Sequence, residues 1–164
     1  MSALPQYLID LVAPWATLFG DSKAVSDGVT FVHFAGLLIA GGAAVAVDRE
    51  TLAARRDDAA ARTHGIATIR AVHRWVLIGL GLTVVSGLAL VTSDLKTYWG
   101  APAYWIKMGL FVLLLVNGAW LQRTERRTDS TESGPWAKIR WAAGISLALW
   151  FAILFTSILV TTAA

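Results

Sequence analysis

The chain contains no cysteine among its 164 residues. This absence excludes disulfides, iron–sulfur clusters held by thiolates, thiolate-ligated haem and covalent haem attachment through a C-x-x-C-H motif. Histidine and methionine, the other side chains that ligate soft metals, are also scarce, at 3 and 2 residues. A metal or haem site in this chain would therefore have very few side chains to draw on.

Charged residues are scarce as well. They make up 15% of the chain, hydrophobic residues make up 56%, and the mean hydropathy is +0.59, whereas soluble domains are about a quarter charged. Apolar runs that can cross the roughly 30 Å hydrocarbon core of a bilayer lie at about 29–47, 75–92, 104–121 and 141–162. The sequence predicts an all-α integral membrane protein, a four-transmembrane-helix bundle in which residues 1–164 form a single membrane domain.

The first 23 residues differ from the rest of the chain. They carry neither a basic n-region nor a run of spanning length, which argues against a signal peptide. Apolar residues such as Leu8 and Leu11 recur at helical spacing, which predicts an interfacial amphipathic helix over 1–23, anchored by Trp15. A helix docked as a cover over one end of the bundle is the alternative, and Pro14 is expected to kink or end its first part.

The basic residues are concentrated in two segments between the spans, so the sequence pI of 9.6 does not indicate nucleic acid. Positively charged loops remain on the cytoplasmic side of a membrane. We therefore predict a multi-pass protein of a bacterial inner membrane, with both termini outside and both basic loops cytoplasmic. The residues concerned are Arg49, Arg55, Arg56, Arg62, Arg70 and Arg74 in the first loop, and Arg123, Arg126, Arg127, Lys138 and Arg140 in the second.

Small residues recur every four positions in the first two spans, a pattern that allows helix backbones to approach closely. They are Gly36, Ala40 and Ala44 in the first span, and Gly79, Thr83 and Gly87 in the second. We expect them to form helix-packing faces, within the bundle or in a homo-oligomer or a complex with other membrane subunits. The remaining surface should contact the lipid bilayer.

One histidine, His33, should lie within the hydrocarbon layer, on the face of the first span that carries Gly36. An ionisable residue there is a functional-site hypothesis by default, and the alternative is a hydrogen bond to a neighbouring helix. Lys107 and Met108 in the third span lie at a similar depth, which suggests a polar ligand or metal site in the outer third of the protein. Ordinary packing of Met108 and snorkelling of Lys107 are the other interpretations. Asn117, a further polar group in that span, is grouped with Lys107 as a candidate ligand or polar site.

Haem b or copper is a possible cofactor, because His and Met ligate both. A bis-histidine haem needs two histidines at one depth, but His33 and His73 lie about five helical turns apart. Haem would require His73 with His64, His33 with Met108, or the same histidine from two protomers. The spans themselves contain no acidic residue. A second polar set at the inner boundary is interpreted as a helix-end charge cluster, with a functional polar site as the alternative; it consists of Asp48, Arg49, His73 and Arg74. The absence of buried carboxylates counts against an ion path.

Two sequence runs resemble a known group of proteins. The run H-R-W-V-L-I-G-L-G-L-T-V-V-S-G-L-A-L opens the second span, and P-A-Y-W-I-K-M-G-L-F-V-L-L-L-V-N-G lies in the third. Together they resemble small bacterial four-helix membrane proteins of the copper-resistance D and cytochrome b561-like type. The resemblance implies a metal-handling or redox-linked role, with His33, His73 and Lys107 at the matching positions.

Catalytic motifs are lacking: there is no Ser-His-Asp order, no glycine-rich phosphate loop and no H-E-x-x-H. The leading expectation is a non-enzymatic, redox-linked subunit of a membrane complex or homo-oligomer. The alternatives are a haem b-binding membrane electron carrier and a small transporter or channel.

Overall fold

Six helices make up the fold of the residues that the structure describes. The computed structural model describes residues 4–55, 58–126 and 133–163, and the regular secondary structure of these residues is entirely α-helical. The helices α2, α3, α5 and most of α6 are long and apolar enough to cross a membrane. The predicted all-α membrane protein with four spanning helices is confirmed. The bounds are α1 (Gln6–Asp21), α2 (Lys23–Ala53), α3 (Ala59–Ser93), α4 (Leu95–Gly100), α5 (Pro102–Arg126) and α6 (Ser133–Ala163).

The spanning helices extend beyond the apolar runs where the arginines are concentrated. The helix α2 ends at Ala53 and α3 begins at Ala59, where the Asp58 carboxylate accepts a hydrogen bond from the Ala61 amide at 3.0 Å. Such a cap satisfies an amide that the first helical turn leaves unpaired. We call this end of the bundle, where α2 and α5 end and α3 and α6 begin, the basic end. The opposite end is called the α1 end.

The closest helix pair is α2 with α3, which cross antiparallel at small residues. A methyl group added at Gly36 would lie 2.9 Å from the Gly79 carbonyl oxygen, and one at Gly79 would lie 2.5 Å from the Ala40 amide nitrogen. Because the two backbones themselves are in contact here, no larger side chain fits between them. The small residues Gly36, Ala40, Gly79 and Thr83 therefore lie at this crossing.

The other close pair is α5 with α6, and α2 packs on α6 to join the two pairs. Asn117 of α5 donates a hydrogen bond to the Ala142 carbonyl of α6 at 3.0 Å. The Trp150 ring of α6 covers Gly41 of α2, where an added methyl group would lie 3.2 Å from the ring. Around the bundle the order of packing is thus α3, α2, α6, α5.

The helix α1 docks on α3 and α2 at the α1 end. The Trp15 indole N–H donates a hydrogen bond to the Ala89 carbonyl of α3 at 2.8 Å, while Tyr7 and Leu11 are 67% and 74% exposed. The helix thus covers the bundle with one face and presents apolar side chains on the other. It does not end at Pro14, because it continues to Asp21.

Between α3 and α5 the short helix α4 was not evident from the sequence, because it is too short for a hydropathy signal. Asp94 caps it by accepting a hydrogen bond from the Thr97 amide. The Trp99 ring packs edge-on against Trp105 of α5, with the centroids 5.0 Å apart. Burial, and to a smaller extent the Asp94 carboxylate, raise the pKa of Tyr98, so its phenol is neutral at physiological pH.

Candidate functional site

A cleft of about 610 Å³ opens between α3 and α5, with α2 and α6 as its floor. It exists because these two helices pack on opposite sides of the α2–α6 pair and meet each other little. The cleft lies in the half of the bundle towards the basic end. Its size is in the range of a small-molecule site.

The deeper walls of the cleft are apolar. They are formed by Val76, Leu77 and Leu80 of α3, by Leu114 and Leu115 of α5, and by Trp150 of α6. These side chains offer dispersion contacts and no hydrogen bonds. They suit the hydrocarbon part of a ligand.

Two polar links between α3 and α5 lie at the basic end of the cleft. The Arg70 guanidinium pairs with the Glu125 carboxylate, and the Gln122 amide lies 2.8 Å from the His73 Nε2 atom. The amide donates to His73, whose Nε2 lone pair is thereby occupied. Because these links engage both helices at one end only, the cleft remains open further along the helices.

Asp48 lies on the floor of the cleft and is only 4% exposed. The Ser146 hydroxyl of α6 hydrogen-bonds its carboxylate, but its Oδ2 atom has no partner among the described residues. A buried carboxylate oxygen without a partner is costly. The interpretation of Asp48 as part of a helix-end charge cluster was wrong, because α2 continues past it to Ala53 and its side chain is buried against Ser146 of α6.

Asn117, predicted as part of a polar site with Lys107, also lines the cleft. Its amide group is committed to the Ala142 carbonyl. Lys107 lies about 15 Å away along α5, at 1.5 Å per residue. The structure therefore places these two residues in different layers of the bundle.

His33 packs on α3, where its ring lies over Gly87 and its Nδ1 atom is 3.1 Å from the Ser86 hydroxyl oxygen. That hydroxyl also lies 2.6 Å from the Leu82 carbonyl oxygen and 3.3 Å from the Thr83 carbonyl oxygen. His33 also hydrogen-bonds the Thr83 backbone, and the tautomer of the ring decides whether His33 or the Ser86 hydroxyl donates in the bond between them. This is the interhelical hydrogen bond that formed the alternative interpretation of His33.

Lys107 lies within electrostatic range of His33, and Met108 is partly buried beside it on α5. The predicted layer of His33 and Lys107 thus exists at the α1 end. His64, by contrast, is exposed at the basic end, 3.1 Å from Glu50. Each of the three histidines therefore has a different partner, with His33 at the α1 end and both His64 and His73 towards the basic end.

The described residues contain no group of three or more His, Cys, Asp or Glu side chains that could hold a metal ion. The Nε2 lone pair of His73 is already used by Gln122. Haem or copper bound at His33 stays a prediction, which the visible spectrum of the purified protein before and after reduction tests.

Sequence reasoning overlooked Asp48 and Glu125 as buried groups. A signal for Asp48 was present, because Gly36, Ala40, Ala44 and Asp48 continue the same spacing of four. All four therefore lie on the packed face of α2. Glu125 is four residues beyond Leu121 and only 5% exposed. Both were assigned to the aqueous boundary because hydropathy alone ends the spans before them.

Comparison with known proteins gives no match to this chain among family models, curated proteins or solved structures. The resemblance to copper-resistance D and cytochrome b561-like proteins stays a prediction. The site must therefore be interpreted from its own geometry.

Proposed function

We propose that this chain is a non-enzymatic membrane protein that binds an amphiphilic, lipid-sized molecule in the cleft between α3 and α5. The observation that carries the proposal is the division of the cleft into apolar deeper walls and polar groups at the basic end. An amphiphile in a bilayer has the same division, with its tail towards the membrane centre and its head at the surface. The ligand would enter sideways from the lipid, between the two helices that pack least.

The proposal includes the setting predicted from the sequence. The protein lies in a bacterial inner membrane with the basic end in the cytoplasm, and it acts as a homo-oligomer or with other membrane subunits. The support is the location of the arginines, since α2, α3, α5 and α6 all have basic residues at or near the same end of the bundle. The polar head of the ligand would then lie in the part of the cleft that is nearer to the cytoplasm.

This orientation predicts the labelling of single cysteines, which are easy to interpret because the chain has none of its own. Lys96→Cys on α4 should react with a membrane-impermeant maleimide in intact cells. Ala60→Cys at the basic end should react only after the cells are opened, because the membrane shields it. Both positions are exposed in the structure, so the reverse pattern would refute the orientation.

Filling the cleft should abolish ligand binding. Gly118 of α5 lines the cleft, and a methyl group added there meets nothing within 4 Å. Gly118→Trp should therefore occupy the cleft without displacing packed atoms. The readout is photo-labelling of the full-length protein in nanodiscs by a diazirine analogue of dodecanol, with excess dodecanol used to identify the saturable part.

Saturable labelling of α3 and α5 peptides is expected in the wild type, with a loss of about tenfold or more in Gly118→Trp. The matched control is Gly109→Trp, on the same helix, also exposed and with open space around it, but outside the cleft. Its labelling should equal that of the wild type. Absence of saturable labelling in the wild type, or equal loss in both variants, would remove the support for a ligand cleft.

A further inference from the structure

The Asp48 carboxylate is the one group on the cleft floor with an oxygen that has no hydrogen-bond partner among the described residues. The residue is 4% exposed, and its Oδ2 atom has no hydrogen-bond donor. Burial of an ionised group without a partner is unfavourable. Such an oxygen therefore either carries a proton or accepts a hydrogen bond from a bound ligand. The cleft beside Asp48 provides the space for a ligand.

The neighbouring polar groups have hydrogen-bond partners other than the Oδ2 atom of Asp48. From α6, Ser146 hydrogen-bonds the carboxylate. From α5, the Asn117 amide donates to Ala142. From α3, Arg70 pairs with Glu125 and His73 accepts from Gln122. These groups do not satisfy Oδ2.

Two further cations at the basic end, Arg140 and Arg126, are also placed away from this oxygen. Arg140 of α6 donates to the Thr51 and Ala54 carbonyls at 3.0 and 2.7 Å, which caps the end of α2. Arg126 lines the mouth of the cleft at the end of α5, about 13 Å along the helix from Asn117. The floor of the cleft is thus acidic although its mouth is basic.

We infer that the ligand of the cleft is an amphiphilic cation, whose protonated nitrogen donates a hydrogen bond to Asp48 Oδ2 while its hydrocarbon tail lies along the leucines of α3 and α5. This inference rests on the proposed function, because it names the ligand class of the same cleft. A charged donor forms the stronger type of hydrogen bond with a carboxylate and also balances its charge. A neutral amphiphile would fill the apolar walls but leave the charge unbalanced, and an anionic one would be repelled.

The test compares dodecylamine, dodecylguanidine and dodecanol as competitors of the photoreactive dodecanol in nanodiscs of zwitterionic lipid. The three share one tail and differ only in the head. In the wild type, the two cations should compete about tenfold or more better than the alcohol. Equal competition by all three, with saturable labelling intact, would overturn the inference and leave the proposed cleft function standing. No saturable labelling at all would overturn both.

The variant Asp48→Asn keeps the shape and the Ser146 partner but removes the charge. The advantage of the amine over the alcohol should fall to within about threefold, while saturable labelling by the neutral probe persists. The control is Asp27→Asn, the same change at an exposed position of α2, which should keep the full advantage. Retention of the advantage in Asp48→Asn would contradict the role of Asp48.

If Asp48→Asn loses labelling by the neutral probe as well, the cleft itself has been disturbed, and Asp48→Glu then decides. This variant keeps the charge on a longer side chain, so the amine should still compete better than the alcohol. An advantage that is absent in Asp48→Glu although the neutral probe still labels the cleft would count against the inference.

Discussion

Replacing Gly79 by leucine is expected to force α2 and α3 apart and to lower the stability of the solubilised protein by about 3 kcal/mol or more. An added methyl group at Gly79 would lie 2.5 Å from the Ala40 amide nitrogen and 2.7 Å from the Gly36 carbonyl oxygen. Both atoms belong to the backbone of α2, so neither can rotate away. The whole helix must move, and the contacts of the closest helix pair are lost.

The matched control for this substitution is Gly81→Leu. Gly81 lies two positions further along α3 and is exposed, and an added methyl group there meets nothing within 4 Å. Its thermal unfolding in detergent, followed by circular dichroism and by size-exclusion chromatography after heating, should match the wild type. If the two variants were equally stable, the close crossing of α2 and α3 would not hold the bundle together.

Replacing Trp136 by alanine is expected to cost about 3 kcal/mol of stability. Trp136 is 1% exposed and packs with Val47, Ile66, Ile69 and Ile139 at the basic end. Its ring also lies against Gly65, where an added methyl group would be 2.8 Å from the ring edge. The ring thus connects α6 with α2 and α3, and its removal leaves a cavity that rigid helices cannot close.

The comparison for this prediction is Trp141→Ala on the same helix. Trp141 is 69% exposed, so its ring contacts lipid or detergent and its loss should change the unfolding temperature little. Trp136→Phe should fall between the two, because it keeps an aromatic ring and removes an indole N–H that has no acceptor among the described residues. A larger loss in Trp141→Ala than in Trp136→Ala would contradict this account of the core.

These two predictions concern the scaffold on which the proposed cleft depends. The α2–α3 pair supplies one wall and part of the floor, and the α5–α6 pair supplies the rest. Because backbone contact at Gly36 and Gly79 holds α3 on α2, α3 cannot move across to close on α5. The gap between α3 and α5 is therefore a consequence of the closeness of the α2–α3 crossing.

Much of the fold could be predicted from the sequence. The four spanning helices follow from hydropathy, because a chain in lipid must satisfy its backbone hydrogen bonds within each segment and therefore forms helices. Close helix packing was indicated by small residues spaced four apart, such as Gly36 with Ala40 and Gly79 with Thr83. Residues at this spacing lie on one face of their own helix, so the pattern can be recognised within a single segment. The layer of His33 and Lys107 could be anticipated from depth alone.

Other features depended on which helices become neighbours. Hydropathy ended the first span before Asp48, whereas the structure continues α2 to Ala53 and covers Asp48 with α6. The pairing of His73 with Gln122 requires α3 and α5 to meet at the basic end, and no local pattern in either segment indicates that they do. Asn117 was grouped with Lys107 as a candidate polar site, but it lines the cleft and its amide is bonded to the Ala142 carbonyl.

The sequence by itself determined the four spanning helices, their apolar lengths and the concentration of arginine in the segments that flank them, because these depend on the residues of one segment at a time. Only the tertiary structure decided the order α3, α2, α6, α5, the cleft between α3 and α5, and the burial of Asp48 and Glu125. The physical reason is that lipid tails are as apolar as the helix surfaces, so hydrophobicity does not select helix neighbours. Shape complementarity and interhelical hydrogen bonds make that selection, and they exist only once the helices are in contact.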